Sequence, residues 1–387
     1  MTTRSAHRSR TVALLALLGI AALVITIGIV LGLTGQAEHP APGTSPTPGA
    51  GASDGGDGSD GGGSEPPPAS DPDPSPPPDE AERTAQCPEP TTTVEDTAGL
   101  HSALEQARPG DVIRLAPGTY EGEFVARAAG SAESPITLRG DADAVLDGGE
   151  PDGGYTLHLD GASHWHLLGF TVTGGQKGVM LDRTEHSVIE GLTVSRTGDE
   201  AIHLRTHSSH NTVVGNHVSG TGLRKPKFGE GIYIGSAESN WEELPDGEPD
   251  ASDGNLIEGN HIEDVTAEAV DIKEGTTGGI LRDNTFDGSG IVDDDTADSW
   301  VDVKGNDWLI EGNTGTASPV DGFQTHEILD GWGTGNVFRG NTADMTDGEH
   351  AFSLTPELEN VVECSNEVSG TVQQVTNVSC VEDAATP

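Results

Sequence analysis

The chain has 387 residues, of which 19 are Lys or Arg and 64 are Asp or Glu, giving a formal net charge of −45. An acid excess of that size excludes nucleic acid and an anionic membrane surface as partners, since both would repel it. Its 54 glycines and 24 prolines are crowded into some stretches and sparse in others, so the globular part must be separated from the rest before domains are counted.

Residues 1–10 carry Arg4, Arg8 and Arg10, and 11–35 are nearly all apolar. That run exceeds the ~7–15-residue core of a signal peptide and matches the ~20 residues of a membrane span. It predicts a transmembrane signal anchor at 11–35 with a cytoplasmic N-terminus. The alternative is cleavage after Ala37 and secretion. Residues 36–86, with Asp57-Gly-Ser-Asp-Gly-Gly-Gly-Ser64 and Pro74-Ser-Pro-Pro-Pro78, hold no apolar run to bury and read as a disordered linker. The folded domain is expected over 87–383, outside the cell and as a monomer.

From Thr97 to Ala107, Leu100, Ala103, Leu104 and Ala107 fall at helical spacing, and Pro109-Gly110-Asp111 stops the pattern. A helix there would cap the open end of a β-stack. Val112–Leu115, Pro117–Tyr120 and Ser134–Arg139 follow as short extended segments. Further along, one phrase recurs: Glu200-Ala-Ile-His-Leu-Arg-Thr206, Glu230-Gly-Ile-Tyr-Ile-Gly-Ser236, Glu268-Ala-Val-Asp-Ile-Lys-Glu-Gly275, Ser299-Trp-Val-Asp-Val-Lys-Gly305, Asp321-Gly-Phe-Gln-Thr-His-Glu327 and Glu349-His-Ala-Phe-Ser-Leu-Thr355. A second phrase ends each time in Asn, at Asn216, Asn260, Asn284, Asn313, Asn341 and Asn366. Short strand-like repeats punctuated by Gly and Asn specify a solenoid, because no single turn can bury its own apolar face. The Asn column is expected to be structural, occupying the left-handed turn conformation and bonding from coil to coil.

Aligning the recurring strands by their apolar pairs (Ile202/Leu204, Ile232/Ile234, Val270/Ile272, Val301/Val303, Phe323/Thr325) puts the intervening residues in outward columns. One column is His203, Tyr233, Asp271, Asp302, Gln324. The next is Arg205, Gly235, Lys273, Lys304, His326. The bland interpretation is a salt-bridged ladder. A site is favoured because His, Tyr and Gln stand where a solvated strand prefers Thr, Ser or Val. Stacked lysines are expected to depress each other's pKa and so make Lys273 a usable base. All five lysines, Lys177, Lys225, Lys227, Lys273 and Lys304, fall in this middle part of the chain. Two insertions break the repeat, Gly220–Gly229 with Arg224, Lys225 and Lys227, and Ser236–Asp253 with Trp241. They are either the walls of a binding groove or plain surface excursions. A third, Ile291–Asp298, carries Asp293-Asp-Asp295, a cation cluster or a solvated acid run. Glu268, Asp271 and Asp302 are candidate Ca²⁺ ligands, although Lys273 and Lys304 would repel a dication, and both alternatives stay open. Among Cys87, Cys364 and Cys380, a Cys364–Cys380 disulfide would pin the end of the stack, leaving Cys87 free or bridging to another chain.

The run Leu100-x-x-Ala103…Ala107-x-Pro-Gly-Asp-Val-Ile-x-Leu…Pro117-Gly-Thr-Tyr120…Pro135-Ile-Thr-Leu-Arg139 resembles the N-terminal coil of right-handed parallel β-helix proteins of the pectate lyase-like superfamily, especially the chondroitinase B and alginate lyase family. Glu268-x-x-x-x-Lys273 followed by Asn284-Thr285-Phe286 resembles that family's central motif, in which a lysine abstracts a proton and an upstream glutamate helps hold calcium. The family's second calcium glutamate falls at Thr266 here, and its catalytic arginine position has only Lys304 nearby. The resemblance implies an all-β fold, a single-stranded right-handed parallel β-helix, acting on an acidic polysaccharide. The expected function is a cell-surface lyase performing β-elimination on a uronate-containing polymer. Lys273 would be the base, with Lys304, Arg205 and His326 assisting, and His203, Tyr233, Gln324, Trp241, Arg224, Lys225 and Lys227 binding substrate. The alternative is a non-catalytic glycan-binding or structural β-helix of the cell envelope.

Overall fold

A computed structural model describes residues 88–245, 247–292, 297–355, 357–382 and 387. The expected anchor, the linker, Cys87 and the Asp293–Asp295 cluster lie outside the described residues. Among those described, no helix is long and apolar enough to cross a membrane.

The chain winds into an all-β right-handed parallel solenoid of about eleven turns. Each turn contributes short strands to three parallel ladders, here called sheets A, B and C. Sheet A runs from Thr92–Val94 to Val361–Val362. Its central residues Leu167, Ile189, Val213, Ile257, Leu281, Ile310 and Phe338 stack in register and are fully buried. Sheet B starts at Gly118–Glu121, and its inner column Val172, Val194, Val218, Ile262, Phe286 is equally dry. At Gly315 that column loses its side chain, and the Trp300 ring occupies the space a Cβ there would need. Sheet C starts at Phe124–Ala126 and buries two residues per strand, pairing Ile202/Leu204, Ile232/Ile234, Val270/Ile272, Val301/Val303 and Phe323/Thr325 in register. Sheets B and C merge in the last coils, where Thr342–Thr355 runs through both and Glu367–Thr376 pairs along it.

An α-helix, Thr97–Gln106, packs on the first strands of sheets B and C through Leu100 and Leu104. It begins where Asp96 accepts the Gly99 N–H at 2.7 Å, an N-cap that satisfies one of the helix's orphan donors. At the other end, Cys364 and Cys380 are joined in a disulfide.

The Asn column forms a continuous amide ladder. Each Nδ2 donates to the Oδ1 of the Asn one coil on, at 2.9–3.0 Å from Asn216 through Asn366. Each also donates to a strand carbonyl, and each backbone N–H is received by the next Oδ1. The left-handed residue is not the Asn, as expected from sequence, but the one before it: Gly215, Gly259, Asp283, Gly312 and Gly340 have φ of 55–65°. The Asn keeps ordinary backbone angles because its job is in the side chain.

Candidate active site

The outer face of sheet C carries the functional columns in the register expected. His203, Tyr233, Asp271, Asp302 and Gln324 are successive partners across adjacent strands. They are not solvated: His203, Asp271, Asp302 and Gln324 are each under 5 % exposed. The two insertions cover them and wall a groove of about 960 Å³. The Gly220–Gly229 wall is tied down by Thr266, whose hydroxyl donates to the Pro226 carbonyl at 2.8 Å. The Ser236–Asp253 wall is held by the buried Asp250, which accepts the N–H groups of Thr206 and His207 at 2.8 Å and the hydroxyls of Ser236 and Ser252.

Asp271 sits between two ammonium groups, Lys273 at 2.5 Å and Lys304 at 2.9 Å, and Lys304 also reaches Asp302 at 2.5 Å. Asp302 in turn meets His326 Nδ1 at 2.9 Å. Lys273 does lower Lys304 as expected, but the expected net depression of the two lysines is overturned. Burial does favour the neutral amine, but Asp271 outweighs it and both lysines are held above the usual lysine range. Burial opposes ionisation of Asp302 too, yet Lys304 and His326 hold it well below the usual carboxylate range. His326 is raised by its bond to Asp302.

A third column runs beside these, Lys177, Glu200, Glu230, Glu268. Lys177 Nζ donates to Glu200 Oε1 at 2.7 Å and to His203 Nδ1 at 3.2 Å, while His203 Nε2 donates to the Gly235 carbonyl at 2.9 Å. Burial, with Lys177 and Arg205 nearby, keeps His203 neutral. Among the described residues Glu230 forms no salt bridge; its Oε2 and that of Glu200 are buried without a hydrogen-bond partner. Burial and the facing carboxylates push Glu230 well up, and burial with Asp271 pushes Glu268 up to about 8. The sequence signal for Glu200 and Glu230 was present, since both open the recurring phrase that Glu268 opens. Alternation along the strand directs attention to the residues after them.

The Tyr233 ring bridges the columns. It packs edge-on against His203, centroids 4.5 Å apart, and lies 4.9 Å from Lys273 Nζ. Its phenol keeps its proton, raised by burial and by Asp271. At the lower end Arg205 donates to Asp182 at 2.8 Å and to the Tyr155 hydroxyl at 3.3 Å, and Asp182 also takes His158 and Thr206.

Residues 83–219 match a family described as Pel9A-like, right handed beta helix region. No curated protein matches the chain. A crystal structure of an alginate lyase from Paenibacillus sp. str. FPU-7 is 37 % identical, with TM-score 0.68, over 74 % of this chain and 100 % of that one. The chain belongs to that lyase's family, within the pectate lyase-like superfamily of right-handed β-helices. The enzymatically active domain of bacteriophage CBA120 tailspike protein 2 shares the fold at 9 % identity and TM-score 0.52, over 71 % of this chain and 40 % of that one. The structure of pectate lyase Pel9A is 16 % identical at TM-score 0.49, covering 72 % of each chain.

In this lyase-like β-helix the groove is lined by most of the residues expected from sequence: Lys273, Lys304, Arg205, His326, His203, Tyr233, Gln324, Arg224, Lys227, Glu268, Asp271 and Asp302. Trp241 and Lys225 are corrections, as neither lines it. The Trp241 indole N–H donates to the Ser236 carbonyl at 2.8 Å and its ring lies against Gly275, so it braces the wall from behind. Lys225 stands 5.2 Å from the Phe228 ring centroid. The expected metal trio also changes. Glu230, Glu268 and Asp271 are the carboxylates whose oxygens lie within 4.8 Å of one another, while Asp302 is drawn away to Lys304 and His326.

Proposed function

We propose that this protein is a polysaccharide lyase that cleaves a uronate-containing polymer by β-elimination in the sheet C groove. The observation that carries the proposal is the distribution of positive charge. Four of the five lysines, Lys177, Lys227, Lys273 and Lys304, line the groove with Arg205 and Arg224, in a chain of net charge −45. The groove also holds nine carboxylates, so what would hold a polyanion there is the individual ammonium and guanidinium groups gathered along it, not a net positive field. Identity to an alginate lyase across that protein's whole length supports the same reading.

Elimination needs the uronate carboxylate neutralised, the adjacent carbon proton removed and the departing glycosidic oxygen protonated. Lys304, held as a cation between Asp271 and Asp302, serves the first need. Lys273 and Tyr233 stand side by side where the second and third would occur: Tyr233 holds a proton to give, and Lys273 becomes an acceptor once it has shed its own. Because Asp271 opposes that loss, activity should climb with pH on the alkaline side. His326, steered by Asp302 and titrating above the ordinary histidine value, is the other proton carrier, and a rate rising through the neutral range instead would assign the base to it. Arg205 and Lys177 would position neighbouring sugar units.

Glu230, Glu268 and Asp271 have the hard-oxygen character Ca²⁺ requires, and the unpartnered Glu230 Oε2 leaves a ligand position. A Ca²⁺ ion held there would add to carboxylate neutralisation. We place the protein at the cell surface as a monomer, tethered by the apolar segment at 11–35 or released after its cleavage. The deciding experiment is ultraviolet absorbance of new unsaturated uronate ends on alginate, pectate and chondroitin. Silence on all three, with binding retained in glycan pull-down, would make this a binding protein instead.

A further inference from the structure

The outer face of sheet B presents small hydroxyl residues rung after rung. One column reads Thr171, Thr193, then His217, His261, then Thr285, Thr314, Thr342. The column two residues on reads Thr173, Ser195, Ser219, then Glu263. That second column also carries Asp147, Asp287 and Asp344, but only at His217 and His261 do two imidazoles on adjacent rungs meet a carboxylate, and none of the three lines the groove.

Both imidazoles aim the same atom at the same group. His217 Nε2 lies 3.0 Å from Glu263 Oε1 and His261 Nε2 3.3 Å from Glu263 Oε2. The rings sit 5.2 Å apart, and one ligand atom from each residue falls within 4.8 Å of the others. Ligand atoms of a tetrahedral zinc site are about 3.3 Å apart, close to the 3.0 and 3.3 Å nitrogen–oxygen distances here. Each side chain is nearly half exposed, which leaves an entry path and room for a water in the fourth position. Two neutral imidazoles and one carboxylate suit Zn²⁺, Cu²⁺ or Ni²⁺ and not a hard ion such as Ca²⁺.

We propose that His217, His261 and Glu263 bind one divalent transition-metal ion of the Zn²⁺ class, as a clasp separate from the groove. Its place gives it a purpose. The coil between His217 and His261 spans 44 residues, against 24 and 29 for the two that follow, and the surplus is the two groove walls. A metal bridging the two rungs closes that longest coil at its base, and so stabilises the part of the stack with the most chain entropy to lose.

Calorimetric titration of the chelator-treated full chain with Zn²⁺ should show one ion bound at micromolar concentration, and a Tm that rises with the logarithm of free Zn²⁺. Cu²⁺ in place of Zn²⁺ should give a paramagnetic resonance spectrum with nitrogen hyperfine structure. The double variant His217→Thr/His261→Thr supplies the residue found on neighbouring rungs, so it should keep the metal-free Tm and lose the ion and its Tm response. Glu263→Gln, which retains both rings, should bind at least roughly tenfold more weakly. The proposal is overturned if the wild type takes up no ion at these concentrations, or if the double variant, or Glu263→Gln alone should the double variant fail to fold, binds as the wild type does.

Discussion

The Asn ladder and the sheet C strip are both columns of polar side chains stacked one per coil, yet they are built on opposite rules. In the ladder every rung is the same residue, and each amide from Asn216 to Asn341 bonds both the next Asn and a strand carbonyl, so nothing is left over. In the strip successive rungs differ, charges are buried under the walls, and Glu200 and Glu230 keep oxygens without partners. A buried unsatisfied carboxylate costs stability, and a repeat that needed only to stack would have kept the ladder's solution. Uniform satisfaction marks the ladder as structure; the site is marked by unlike charges buried together under the walls, since unpartnered atoms also occur away from it, at Arg139 and Arg282.

The comparison can be broken from several sides. The largest effect is expected on the inward side of the strip: Ile272→Asp places a carboxylate in a dry stack at a cost of about 4 kcal/mol or more, and cooperative thermal unfolding should be lost. A melting curve close to the wild type would show that Ile272 does not face the core. On the outward side, Lys273→Ala should lower kcat by about 10²–10⁴ while the circular dichroism spectrum stays that of the folded chain, because Lys304 still pairs with Asp271. A variant that unfolds instead would place Lys273 with the ladder.

Asn284→Ala should do the reverse. Its amide bonds Asn313 and the Ile257 and Arg282 carbonyls and receives Asn260, so its loss should cost roughly 2–3 kcal/mol and leave kcat of the folded fraction unchanged.

A smaller effect follows acidification. Asp182 is held well below the usual carboxylate range, His158 and Arg205 outweighing burial, so its stabilising contribution is complete above the unfolded carboxyl pKa and fades as pH falls through the folded one. Tm of the wild type should therefore fall from about pH 5 downward more steeply than that of Asp182→Asn. Parallel curves would show that Asp182 contributes no such term. Smallest of all, millimolar Ca²⁺ should raise Tm by a few degrees at most, and Glu230→Gln should remove the response; a Tm indifferent to calcium and chelator would leave these carboxylates to the lysines alone.

Much of this was legible beforehand. The inward pairs of sheet C, the outward columns and their rung-by-rung partners follow from period-two alternation within a repeated phrase, and the register bears them out. Glu230 was overlooked because it opens its phrase two residues before the paired strand, where alternation gives no guidance on where a side chain turns. Trp241 belongs to an insertion that the repeat length marks as a groove wall, and only its packing against Gly275 shows that its ring does not face the groove.

The sequence by itself determined the solenoid, its period and the residues on its charged face, because these depend on local alternation and on apolar stripes that stacking must bury. The tertiary structure decided the state of those residues. Column order places Lys273 and Lys304 as neighbours and suggests mutual repulsion, but which ammonium meets which carboxylate depends on side-chain lean across rungs and on how deeply the walls exclude water. Those distances put Asp271 between the two lysines, and so reversed the sign of their shift.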